Sequence, residues 1–160
     1  MFNRWSMLAL LASAALVIWA GTAAVAQYGG GGYGYEQAPA GLTNQVKTAQ
    51  AHATNSARSE ALRDARWHLS HVVNCLEGPR GKNYDAQAGN PCQGQGNGIL
   101  PDLDAAVRAY QMGASTALDA ARRADELAVE TLKSNDLGQV KTGAGRVADL
   151  LGQALKALGQ

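Results

Sequence analysis

Residues 64–104 read DARWHLSHVVNCLEGPRGKNYDAQAGNPCQGQGNGILPDLD. They decide the fold because they hold both cysteines and two of the three histidines around a segment with no helical or strand periodicity. At their upstream end Leu62, Ala65, Leu69, Val72 and Leu76 recur at alternating spacings of three and four, which places them on one face of a helix. Gly78 and Pro79 stop that helix, since glycine accepts a left-handed cap and proline cannot continue the hydrogen-bond ladder. The loop over residues 78–100 carries no period. A structureless connection of that length in a compact domain is either functional or pinned. Cys75 and Cys92 supply the pin as a disulfide, and closing such a loop is worth roughly 3 kcal/mol by the chain-entropy argument.

Downstream, Pro101 with Asp102 and Asp104 reads as a helix start: proline costs nothing in the first turn, and carboxylates favour the positive end of the helix dipole. The apolar series Leu103, Val107, Tyr110, Ala114, Ala117, Ala121, Ala124 and Ala128 then predicts one long helix with a small-residue seam. Ser134-Asn135-Asp136 breaks it, with Asp136 and Gln139 at capping-box spacing. A last seam follows through Val140, Ala144, Val147, Leu151, Ala154 and Leu158. Gly138, Gly145 and Gly152 recur beside it every seventh residue and suggest either a close-packing groove for another helix or subunit, or simple weak helicity.

Upstream, residues 43–76 contain no Gly or Pro and read as one helix, or as two with a break near Asn55 and Ser56. The expected fold is all-α, an antiparallel up-and-down bundle of three to four helices with a disulfide-pinned loop.

Residues 1–26 read as a signal peptide: one positive charge in MFNRW, an apolar run, and a small-residue exit at Ala24-Val25-Ala26. Residues 27–41, QYGGGGYGYEQAPAG, read as a flexible Gly/Tyr-rich leader, and residues 42–160 as the helical domain. Loss of the signal removes Arg4 from the 14 basic side chains and balances the 13 acidic ones. A neutral chain without a basic block points away from nucleic acid and anionic membranes, and no stable membrane insertion is expected once the signal is gone. The expected location is the periplasm or the exterior, an oxidising setting in which two cysteines pair.

His68 and His71 stand one turn apart, with Asp64 four residues before His68. The pair can reach a common metal from adjacent turns, and Asp64 can complete the set or orient an imidazole. On the helical wheel His68 flanks the Leu69/Val72 face, and His71 turns further outward. His52 lies roughly 24 Å from His68 along an unbroken helix, so it joins them only if the chain folds back near Asn55. Trp67, opposite the core stripe, and Tyr84, on the loop, are candidate contacts for a protein partner or a second copy. Asp102 and Asp104 are explained by capping. Haem-attachment, His-Glu-x-x-His and Gly-x-Ser-x-Gly patterns are absent, and no enzymatic activity is expected.

The Ala-rich helical body, residues 42–76 and 101–158, with histidines a turn apart, resembles small metal-binding helical proteins of the bacterial periplasm. Those proteins repeat histidines along several helices, whereas this chain has only His52, His68 and His71, and its Cys75–Cys92 loop has no counterpart there. HLSHVVNCLEGPRG with GNPCQGQGNG also looks like a block of uncharacterised exported bacterial proteins. The resemblance and the histidine spacing imply an exported bundle that binds copper, nickel or zinc. The alternative expectation is a structural or interaction subunit using the cross-linked loop and the Gly-rich helix face.

Overall fold

The structure, a computed structural model, describes residues 40–160. The expected signal peptide and leader lie outside the described residues, except that residues 40 and 41 already belong to the first helix. Five helices follow in order: α1 (Ala40–Arg58), α2 (Leu62–Glu77), α3 (Ile99–Arg108), α4 (Ala114–Thr131) and α5 (Leu137–Ala157). No strand occurs among the described residues, and no helix there is long and apolar enough to cross a membrane.

The four long helices form an antiparallel up-and-down ring in the order α1, α2, α4, α5, with short α3 at one corner. Its direction is visible in side-chain bonds. Gln50 of α1 donates to the Ala148 carbonyl of α5 and Lys47 reaches Gln160, so α1 and α5 run oppositely. The expected seams form the core: Leu69, Val72 and Leu76 of α2, Ala117, Ala121, Ala124 and Ala128 of α4, and Val140, Val147, Leu151 and Ala154 of α5 are all fully buried. With alanine at so many inward positions, each residue buries little area, and helix backbones must approach closely to exclude water. Gly143 marks a close approach of α5 to α4, because a Cβ there would collide with the Thr131 side chain. Gly138, Gly145 and Gly152 form no close-packing groove against another helix of the bundle. A Cβ on Gly145 would meet nothing, and those on Gly138 and Gly152 would face single polar side-chain atoms.

The helix expected to run unbroken from residue 101 to 128 is interrupted at residues 109–113. Tyr110 takes a left-handed conformation (φ 56°) and its N–H bonds the Val107 carbonyl, while the Gln111 N–H bonds that of Ala106. This is the paired closure that usually requires glycine at the left-handed position. Tyr110 therefore leaves the seam and is 95% exposed.

The first segment is two helices. The chain turns at Ser59-Glu60-Ala61, a few residues beyond the expected break. The Ser59 hydroxyl donates to the Asn55 carbonyl, and the buried Ser56 hydroxyl donates to the Ala65 carbonyl of α2. Serine side chains thus cap the end of α1 and lock the corner.

Between α2 and α3 the loop is cross-linked by Cys75–Cys92, whose Cα atoms are 5.3 Å apart. Its two ends meet at Gly78 (φ 71°) and Gly98 (φ 121°), where a Cβ on either would strike the other strand's backbone. Buried Gln45 of α1 ties the downstream end, accepting from the Gly98 N–H at 3.1 Å and donating to Asp102 at 2.8 Å. Asp102 also accepts from both nitrogens of Asn97. The carboxylate read as a simple helix-start charge is the knot that fastens loop to helix.

Candidate metal centre

The α1–α2 corner brings all three histidines together. His52 Nδ1 lies 3.1 Å from His68 Nδ1 and 3.2 Å from His71 Nδ1, and ligand atoms of the three rings all lie within 4.8 Å of one another. Glu60, at the apex of the turn, is midway in sequence between His52 and His68. In an antiparallel hairpin, residues equally distant from the apex face each other, so folding at that point converts the separation along the helix into a contact. His68 and His71 then share one face of α2 by their one-turn spacing.

The two distances from His52 suit a metal. Nitrogens at 2.0–2.1 Å from a tetrahedral zinc are separated by about 3.3–3.4 Å. Both edges at His52 fall within a few tenths of an ångström of that value.

Protonation suits one as well. His71 Nε2 sits 2.7 Å from the Ala88 carbonyl oxygen, which can only accept. Nε2 therefore carries the hydrogen, and in the neutral ring Nδ1 presents its lone pair to the cluster. The pattern of one nitrogen donating to a backbone carbonyl and the other free for a cation is how ligating histidines are oriented. Burial, reinforced by His71 and His68, pushes the pKa of His52 down to about 4. Burial also lowers that of His68; His71 adds to the effect and Asp64 opposes it. His52 and His68 are thus neutral at neutral pH, the form that ligates.

The membership differs from the sequence expectation in two respects. The third nitrogen comes from His52, while Asp64 stands outside the cluster; its carboxylate is half exposed and accepts from Arg63 Nε at 3.2 Å. His71, expected to turn outward, is only 6% exposed, because the cross-linked loop folds over it and supplies the Ala88 carbonyl.

Trp67 forms a wall of the centre. Its ring centroid lies 4.0 Å from that of His71 and 5.0 Å from that of His68, and its other side is open, leaving the residue 49% exposed. Tyr84 is half-buried in the loop. No signal in the sequence singled out Ala88, which acts through its main chain, or Asn74, which reads as a polar residue in an apolar run. No family model, curated protein or solved structure matches the chain.

Proposed function

We propose that the protein is an exported, non-enzymatic helical-bundle protein that binds a divalent transition metal, copper, nickel or zinc, through His52, His68 and His71. The observation that carries this reading is the convergence of three Nδ1 atoms, with the Nε2–H of His71 engaged by the Ala88 carbonyl. Imidazole nitrogen suits all three metals, and the absence of a thiolate, both cysteines being bonded to each other, argues against a soft-metal site. A set of three protein ligands leaves a fourth position for water or an exchangeable ligand.

Export is supported by the residue pattern at positions 1–26 and by the disulfide, which persists in oxidising compartments. The small-residue seams and the pinned loop then serve as a rigid frame for the histidines.

Calorimetric titration of the purified protein with copper, nickel and zinc tests the reading. One equivalent bound at micromolar affinity or tighter, and lost in the His52→Ala/His68→Ala/His71→Ala variant, supports it. An absence of binding in the parent, or unchanged binding in the variant, overturns it.

A further inference from the structure

We infer that Asn74 is the positioning residue of the histidine centre, acting on His71 through the main chain of the cross-linked loop. This rests on the reading that the three histidines hold a metal. Asn74 is fully buried and touches none of the histidines in a hydrogen bond. Its amide nitrogen donates to the Asp85 and Gly89 carbonyls at 2.7 and 2.6 Å, and its oxygen accepts from the Asp85 N–H at 2.8 Å.

His71, Asn74 and Cys75 lie on one face of α2 at spacings of three and one, and each grips the loop. His71 takes the Ala88 carbonyl, Asn74 takes the next one, at Gly89, and Cys75 is bonded to Cys92. Two consecutive carbonyls reach two residues almost one turn apart on the same helix. Gly89 accommodates this with φ 82°, a conformation costly for other residues. Asn74 therefore fixes the peptide next to the one that receives the His71 proton. With that carbonyl held, the hydrogen stays on Nε2 and the Nδ1 lone pair stays aimed at His52 and His68. Replacement of an outer partner of this kind typically weakens metal binding 10–100-fold.

The test is the imidazole nitrogen NMR spectrum of the metal-free protein, paired with zinc affinity, for the parent, Asn74→Ala, Gly89→Ala and Asn83→Ala. Gly89→Ala leaves α2 untouched, and its Cβ would meet no atom within 4 Å, so it perturbs the loop conformation alone. Asn83→Ala removes a bond between the upstream part of the loop and Glu77 and serves as the control. The expected result is an Nε2–H tautomer of His71 in the parent and the Asn83 variant. Asn74→Ala and Gly89→Ala should give mixed tautomers and bind zinc 10–100-fold more weakly. If Asn74→Ala does not fold, Gly89→Ala decides. An unchanged His71 tautomer or unchanged zinc affinity in folded Asn74→Ala or Gly89→Ala overturns the proposal. A parent that binds no zinc removes the metal reading and any ligand role with it, whereas the tautomer comparison separately shows whether the loop controls His71.

Discussion

His52 and His68 face each other across the α1–α2 corner with their Nδ1 atoms 3.1 Å apart, although sixteen residues separate them in the chain. Everything that shapes the corner therefore shapes the centre. The buried Ser56 hydroxyl, bonded to the Ala65 carbonyl at 2.7 Å, is the polar fastening nearest the apex on the inner side. Ser56→Ala removes that bond, while the Ala65 carbonyl keeps its bond within α2, and is expected to cost ~0.5–1.5 kcal/mol in urea unfolding. An unchanged midpoint would show that packing alone holds the corner.

The two glycines of α5 that differ most in surroundings make opposite predictions. Gly145→Ala places a methyl where nothing lies within 4 Å and relieves a helix-interior glycine, so stability should rise by about 1 kcal/mol. Gly143→Ala drives a methyl into Thr131 of α4 and should destabilise the protein by about 1–3 kcal/mol. Thermal unfolding of the two variants distinguishes them, and equal shifts would contradict the close approach of α4 and α5.

The metal-free protein should lose stability as the pH falls from about 6.5 towards 4. His52 has its folded pKa lowered to about 4 by burial and by the neighbouring histidines, so in that window the unfolded chain binds more protons and acid favours unfolding. Above the window the dependence on this residue vanishes. His52→Gln, which cannot titrate, should show a shallower fall in urea midpoint between pH 7.5 and 4.5 than the parent; an equal fall would contradict the burial of His52.

Asp125 of α4 works in the opposite sense. Its Oδ1 is buried with no hydrogen-bond partner, and burial, with Glu77 and Glu126 adding repulsion, raises its pKa from 3.8 to about 7. The folded state binds the extra proton between those values, so stability declines as the pH rises through about 7. Asp125→Asn should stabilise the protein at pH 8 by ~1 kcal/mol, solvent access having reduced the effect of the bare shift, and by less at pH 5. A larger gain at pH 5 would contradict the assignment.

Much of this architecture is legible in the residues. The seams at Ala117, Ala121, Ala124 and Ala128 and at Val140, Val147, Leu151 and Ala154 follow from three-and-four spacing, and Cys75–Cys92 follows from an aperiodic loop with one cysteine on the helix before it and one within it. The end of α3 is hidden because tyrosine, the residue at position 110, carries no expectation of a left-handed cap. The centre is half legible. His68 and His71 share a turn, which spacing reveals. His52 needs the apex at Glu60, and the serines that make it form long-range and main-chain bonds that local propensity does not register. Asp64 is attractive by spacing alone, yet its carboxylate lies on the solvent side with Arg63. His71 is covered by a loop whose path depends on Asn74, Gln45 and the disulfide acting together.

X-ray absorption of the zinc-loaded protein tests the central claim most directly. Three imidazole nitrogens at about 2.0–2.1 Å are expected in the parent and two in His52→Ala, with no change in Asp64→Asn. A parent spectrum unaffected by His52→Ala, or one altered by Asp64→Asn in its place, would contradict the three-histidine centre.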